Sequence, residues 1–540
     1  MKARKPIPAA VAAAIVIVVA FAGDMLAAPG RPSKITVYRL DHDSAGYLEK
    51  VNNIYNLGIV SNDPNVLKAE YEAGFIQGRL QKSQLAATRD NLWDGLTLVD
   101  PSSYKRIPPT RRELTDVQKA LARNYTYTLA YISRQTDLKL REQMTRLVFR
   151  LVGIYHGATL NAPRALRFDG TWLPGLDSFS PSELRLNYEA RAVSFMDVYF
   201  LNAGFDVWDV MDDQFGRTKC SAFVKKTGGE IFLTHNSWFD YLNESMATTY
   251  YINGDYLTVN AIAPGNIGSA TDFGYNNKGI IFNETTHYAT YTQTKVDALW
   301  MFFRATLAEQ FAGSLEEFYR LVSLEASGTY MNGYMVVDTN TREIGLVEMS
   351  YKSFVFFKPD GKGGYDVITK PDGLSRAYDR QLLQPDYILG INFPVSTAIR
   401  QELKAIENRP MRRRQFLARI GGVKDIESAK ALITYTDPKE PLSIYGRWDL
   451  GFGTTNTPKK VPEGSVDAKA VSTSMLAYTR NLKGVLDTQS PNRIFWMKFG
   501  TPVFNGKPFV WSQSPWKGQK LRGVPDVVDG RWTLLNAYVR

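Results

Sequence analysis

The chain has one cysteine, Cys220, and four histidines among 540 residues. A single thiol excludes an internal disulfide framework, so the fold must be held by its core. Four scattered histidines argue against a histidine-rich metal centre. No G-x-S-x-G elbow, H-E-x-x-H helix, Walker loop or paired CxxC is present. K-T-G occurs at Lys226–Gly228 and S-P-W-K at Ser514–Lys517. Penicillin-recognising enzymes need S-x-x-K ahead of K-T-G, and here the order is reversed. There is no zinc-finger or RNP module, so nucleic acid is not an expected partner. Beyond residue 28 no apolar run reaches the length of a membrane helix.

What is present is a globular composition, 44% hydrophobic and 22% charged, which excludes a disordered chain. Its length alone suggests two to four domains. The 29 Tyr, 28 Phe and 10 Trp favour sheet-rich structure. Lys2, Arg4 and Lys5 precede the apolar run "AAVAAAIVIVVAFAG", and "MLAAPG" follows with small residues near Ala28. This reads as an export signal over residues 1–28, the alternative being an uncleaved anchor. Export places the mature chain outside the cytoplasm, in a secreted, periplasmic or lysosomal setting. The formal charge is +11, and about +9 remains without residues 1–28. That excess suits an anionic partner such as a phospholipid surface. The densest basic run, "NRPMRRRQFLAR" at Asn408–Arg419, reads as a solvated helix face.

The first part of the chain reads as helix-rich. "KITVYRL" is an early strand, Val66–Trp93 has helical periodicity, residues 110–160 are helical and residues 161–190 are loops. Strand signals begin at Cys220 with "CSAFVKK", "EIFLTHNSW", "TTYYI", "DYLTVNAIA" and "KGIIFNETT". A helix is expected over "TKVDALWMFFRATLAEQFA", and another at "SLEEFYRLVSL", where Ser314 and Glu317 spell a capping box. Strands return in "GYMVVDT", "EIGLVEMSY" and "SFVFFKP", and the region 395–440 is expected to be helical. From residue 490 the chain reads as an irregular wrap. No internal repeat is visible.

"CSAFVKKTGGEIFLTHNSW" reads as a hairpin turning at Thr227-Gly228-Gly229. A turn centred on Gly228 sets Cys220 opposite Asn236, and a half-residue shift gives His235 or Ser237. Cross-strand neighbours lie about 5 Å apart. The geometry therefore carries the only thiol and the "HNSW" string to one end of a ribbon. His235 could act as base in a Cys–His pair, or be a satisfied strand histidine. A second base becomes available if the Lys219–Cys220 bond is cut: the α-amino group of Cys220, with an ordinary pKa of about 7.7–8.0. A lone cysteine can equally be buried and inert.

At these residues the chain resembles the phospholipase B-like, or lamina-ancestor, family of N-terminal-nucleophile hydrolases. The matching pieces are "CSAFVK" at Cys220, "HNSW" at His235–Trp238, "FNETTH" at Phe282–His287, "SGTYMNGYMVVD" at Ser327–Asp338, "RWDL" at Arg447–Leu450 and "VSTSM" at Val471–Met475. "EYEAGFIQG" at Glu70–Gly78 and "PFVWSQSPW" near the end match more weakly. The resemblance implies an α+β fold, a four-layer α-β-β-α sandwich. It also implies self-cleavage before Cys220 into associated fragments 29–219 and 220–540, and hydrolysis of a phospholipid or other acyl-lipid ester without metal or cofactor. Cys220 matches the nucleophile. His235, Asn236 and Trp238 match the string that lines the pocket, and Asn332 sits where related enzymes place a polar group near the scissile carbonyl, with Asn236 a second oxyanion candidate. Glu284, Thr285 and Arg447 fall in matching motifs without an assigned role. Each also has a plain structural reading: Asn332 capping a turn, Glu284 a surface charge, and Arg447 pairing with Asp449. Animal members carry disulfides that this chain lacks. The sequons at Asn124, Asn243 and Asn283 would matter only in a eukaryotic secretory route. Alternatives are an N-terminal-cysteine amidase of the bile-salt or penicillin acylase type, and a processed, non-catalytic lipid-binding protein. Oligomeric state is not legible.

Overall fold

Short β-prone runs, many of them buried along their whole length, build two sheets, and the long helical segments before Cys220 supply helices that cover one of them. A computed structural model describes residues 35–96, 108–211, 220–240, 246–269, 273–289, 293–407, 410–437, 439, 443–446, 463–480, 482–500, 508, 510–514, 517–518, 521–527 and 530–539. The expected export signal, Lys219 on the near side of the cleavage bond, Asn243 and Arg447 lie outside the described residues. Thr36–Arg540 forms one compact unit.

The first sheet runs in the order β1 (Ile35–Arg39), β2 (Ser44–Val51), β3 (Ile54–Ser61), β6 (Met246–Ile252), β7 (Tyr256–Ile262) and β8 (Phe273–Asn276). It continues through β9 (Ile280–Thr286), β10 (Asn332–Asp338), β11 (Glu343–Met349), β12 (Phe354–Pro359) and β13 (Tyr365–Lys370). The second sheet runs β14 (Leu383–Gln384), β15 (Tyr387–Gly390), β4 (Ser221–Thr227), β5 (Glu230–Asp240), β16 (Glu463–Ser472), β17 (Asn492–Phe499) and β18 (Trp532–Ala537). The segment before Cys220 is therefore not only helical. It gives β1–β3 to the first sheet, and β3 lies parallel to β6, with Tyr55 opposite Met246.

Helices α1 (Val66–Leu80), α2 (Lys82–Leu96), α3 (Arg111–Ser133), α4 (Leu138–Thr159) and α5 (Phe195–Met211) precede Cys220. With α6 (Met301–Phe311) and α7 (Leu315–Val322) they bury an aromatic-rich core against one face of the first sheet. A second core joins residues of both sheets to α8 (Thr397–Leu403), α9 (Pro410–Leu417) and α10 (Ile426–Ile433). The helix α11 (Thr473–Thr479) packs beside β17. The described elements thus form a mixed α+β fold of two large sheets with helices packed against them. Among the described residues no helix is long and apolar enough to cross a membrane.

α1 and α4 meet through glycines. A Cβ at Gly74 would lie 2.2 Å from the Arg150 carbonyl oxygen, and one at Gly157 would lie 1.9 Å from that of Phe75. At this crossing the buried Arg150 donates to the Glu70 carboxylate at 2.9 Å and to the Ile267 carbonyl at 3.1 Å. Its guanidinium lies 4.4 Å from the Tyr250 ring centre. The crossing is thereby tied to the first sheet.

Several expectations need correction. The helix expected from Thr294 starts only at Met301, because Asp297 and Trp300 hold the preceding residues in an irregular path: Asp297 pairs with Arg123, and the Trp300 indole donates to the Lys295 carbonyl. Ser314 does cap α7 by accepting from Glu317 N–H, but the Glu317 carboxylate accepts from Gly313 N–H, one residue outside a full capping box. The expected wrap after residue 490 contains β17 and β18, which extend the second sheet by cross-strand pairs such as Trp496 with Leu534. The basic run is not simply a solvated face. Arg412 in α9 is fully buried.

Candidate active site

β4 and β5 join through a two-residue turn, with Thr227 opposite Glu230. Gly228 (φ +56°) and Gly229 (φ +85°) both occupy the left-handed region that such a turn requires. The turn centre falls half a residue beyond Gly228. Ser221 therefore pairs with Asn236 and Ala222 with His235, and the same register continued would set Cys220 opposite Ser237. Cys220 stands just before β4 and is buried, 7% exposed.

The two sheets meet at this point. The Asn283 side chain in β9 donates to the Thr234 carbonyl in β5 at 2.7 Å. Thr285 approaches β15, where only a glycine fits: a Cβ at Gly390 would stand 2.7 Å from Thr285 Cγ2. Glu284 lies between these contacts, fully buried, so it is no surface charge. The Cys220 thiol sulfur, a ring nitrogen of His235 and a carboxylate oxygen of Glu284 all lie within 4.8 Å of one another. The structure thus brings together three sequence candidates, one from the residue before β4, one from β5 and one from β9 in the other sheet.

Burial pushes the His235 imidazole well below its ordinary pKa, and the neighbouring Lys469 cation adds to this. Among the described residues no group meets either ring nitrogen at hydrogen-bonding geometry, although the Glu284 backbone is close enough to oppose the shift. His235 is held as a neutral imidazole. Across from it on β16, Lys469 donates to Ser237 Oγ at 2.8 Å and to Asp467 at 2.7 Å, and Asp467 accepts from Ser237 N–H at 3.0 Å. Lys469 and Asp467 were not singled out from the sequence. Their two-residue spacing on a strand, which places both on one face, was the available signal.

Asn236 and Trp238 lie on the other face of β5. The Asn236 side-chain oxygen Oδ1 accepts from Ser221 N–H, and its amide hydrogens go to the Ile433 and Ile444 backbone carbonyls at 2.9 Å each. Trp238 also donates to Ile444, at 3.4 Å, and packs so tightly that a Cβ at Gly446 would be 2.4 Å from its ring. Both residues brace the sheet against α10 and residues 443–446. Arg412 lies 5.1 Å from the Trp238 ring centre and donates to the Cys220 carbonyl, to Ser221 Oγ at 2.8 Å and to Asn392 at 3.0 Å. Asn392 in turn donates to the Thr286 carbonyl at 2.7 Å. Arg412 was hidden in the sequence because a run of arginines does not show which one turns inward.

Asn332 heads β10 opposite Thr286, one strand from Glu284. It is fully buried beside the Tyr334 hydroxyl, and among the described residues neither amide atom meets a partner at full hydrogen-bonding geometry, so it does not cap a turn through its side chain.

Comparison with known proteins fits this arrangement. A family model described as Phospholipase B matches residues 60–356, more than half of the chain. Phospholipase-B 81 of Drysdalia coronoides is 23% identical over 468 residues, covering 78% of this chain and 76% of the relative. Phospholipase B of Crotalus adamanteus is 23% identical over 501 residues, with 84% and 80% covered. Phospholipase B-like 1 of Rattus norvegicus is 25% identical over 505 residues, with 85% and 80% covered. The matched segment contains Cys220, His235, Glu284 and Asn332, the residues at the meeting of the two sheets, and by that match the chain belongs to the phospholipase B family.

Proposed function

We propose that the chain is a hydrolase of phospholipid acyl esters whose nucleophile is the Cys220 thiolate. The observation that carries this reading is the convergence of a buried thiol, imidazole and carboxylate within 4.8 Å at the junction of the sheets. The family match and its phospholipase B relatives support the substrate class.

In this reading the Cys220 thiol first attacks the carbonyl of Lys219. The acyl chain moves from nitrogen to sulfur, and water then releases a new carboxylate on Lys219 and a free α-amine on Cys220. The fragments 29–219 and 220–540 stay together in the four-layer N-terminal-nucleophile sandwich, outside the cytoplasm. Arg412 fixes the Cys220 carbonyl and the Ser221 hydroxyl, which steadies the attacking residue.

In turnover the α-amine takes the thiol proton, the thiolate attacks the ester carbonyl, and the amine returns the proton to the leaving alcohol. Water then hydrolyses the thioester. Asn332, whose side chain lies beside the Tyr334 hydroxyl and makes no hydrogen bond of full geometry among the described residues, suits the oxyanion better than Asn236, whose two hydrogens are engaged. The amine suits the role of base better than His235, whose pKa burial depresses. His235 and Glu284 then orient and polarise.

N-terminal sequencing of the purified protein tests the scheme. One fragment should begin Cys-Ser-Ala, and Cys220→Ala should give neither cleavage nor turnover. A chain uncut at this bond yet fully active would overturn it. In cleaved protein, His235→Gln should keep a pH–rate profile rising with the amine, at or somewhat below about 7.7–8.0. Near-total loss of the chemical step would instead make His235 the base.

A further inference from the structure

Cys220 just before β4, His235 in β5 and Glu284 in β9 offer a thiol sulfur, an imidazole nitrogen and a carboxylate oxygen. This is the donor set that zinc selects. Tetrahedral zinc, with bonds of about 2.0–2.3 Å, sets its ligand atoms about 3.3–3.7 Å apart. The three atoms already lie within 4.8 Å of one another, so small side-chain rotations close the remaining gap. All three residues are buried, which keeps competing water away. Charge also balances, because a thiolate and a carboxylate neutralise a divalent ion. The nearby Lys469 cation is held at 2.7 Å by Asp467 and does not face the ion unbalanced. Among the described residues neither His235 ring nitrogen meets a group at full hydrogen-bonding geometry, the Glu284 backbone being the nearest, which leaves a lone pair for a ligand.

We propose that Cys220, His235 and Glu284 bind one zinc ion, which reversibly masks the nucleophile. On binding, the thiol loses one proton to solvent and its sulfur lone pair goes to the metal. The imidazole and carboxylate each donate a lone pair, and no atom changes oxidation state. The masking consequence rests on the acyl-hydrolase reading, since a metal-bound thiolate cannot attack an ester. That reading also supplies a fourth ligand: the freed α-amine of Cys220, whose nitrogen and sulfur close a five-membered chelate. Cleaved protein therefore binds more tightly than uncut protein.

The test uses the metal alone, without substrate. Cobalt(II) is titrated into the purified full-length protein and followed by absorption. One equivalent should produce tetrahedral d–d bands and a thiolate-to-cobalt charge-transfer band, and zinc should bleach both. Cys220→Ala should abolish the charge-transfer band. His235→Gln and Glu284→Gln should each weaken zinc at least tenfold, with Glu284→Asp as a second variant should Glu284→Gln not fold. Absence of the band, its persistence in Cys220→Ala, or unchanged zinc affinity in the folded ligand variants overturns the site. The two readings fail separately. Hydrolysis by a cleaved protein that gives no cobalt band removes only the metal site. A cobalt band on a protein that never cleaves or hydrolyses removes only the acyl-hydrolase reading.

Discussion

Arg412 donates to Ser221 Oγ at 2.8 Å and so grips the chain one residue past the candidate nucleophile. The same guanidinium reaches the Cys220 carbonyl, and both contacts are buried. Arg412→Lys keeps the charge but loses the fork that meets two oxygens at once. We expect it to lower turnover at least tenfold and to slow cleavage, with stability reduced by about 2 kcal/mol. Single-turnover acylation of folded, cleaved protein checks this. An unchanged acylation rate would remove Arg412 from the positioning of Cys220.

The glycine crossing of α1 and α4 gives a second expectation. Gly157→Ala improves helix propensity by up to about 1 kcal/mol. It also forces a methyl to within 1.9 Å of the Phe75 carbonyl oxygen. The helices must separate, at a net cost of about 3 kcal/mol in urea unfolding. A neutral or stabilising result would mean that the two backbones do not touch there.

The buried histidines set a pH trend. Burial lowers His156 to about 4 and His287 to about 3. The unfolded chain binds their protons below about 6.5 while the folded chain does not, so stability is lost as pH falls from there toward 3–4. Glu348, 3.7 Å from His287, is pushed up to about 7 by burial. Its folded form keeps a proton that the unfolded chain releases near 4.3, so the stability it contributes is lost as pH rises from about 4.3 to 7. His287→Gln removes only the acid-side loss. Its urea midpoint should fall less than that of the parent between pH 6.5 and 4. An equal fall would assign the acid sensitivity to other groups.

Two of the three sequons are closed. The Asn124 amide donates to the Val296 and Ala298 carbonyls at 2.8 and 2.9 Å, and Asn283 donates to Thr234. Both residues are fully buried. Folded protein from a eukaryotic secretory host should carry no glycan at either, as glycopeptide mass spectrometry would read. A glycan on Asn283 in active protein would contradict the packing of the two sheets.

The sequence made the ribbon at Cys220 legible because a Gly-Gly turn between β-prone runs sets a register within half a residue. It could not show that Glu284 arrives from another sheet, because contact between sheets depends on layer stacking and not on spacing along the chain. The opposite error arose at Asn236 and Trp238. They adjoin His235 in sequence, but alternation along the strand turns them to the far face, where they brace residues 443–446. Strands β17 and β18 were obscured by the Pro- and Trp-rich residues between them. Arg412 shows the limit most clearly: three consecutive arginines look alike until a helix directs one inward.

β3 and β6 lie side by side, yet they come from opposite sides of residue 219. Parallel neighbours cannot be joined by a tight turn, and here the connection contains α1–α5. In the proposed scheme the pairing forms before cleavage, while the chain is still one molecule. Were the bond before Cys220 cut as proposed, the two strands would no longer share a tether, and their high local concentration would be lost on unfolding. The mature protein would then persist because it unfolds slowly, and a denatured sample would not find its way back. Cutting would act as a one-way latch, and pieces 29–219 and 220–540 made separately should not assemble into what the intact precursor becomes.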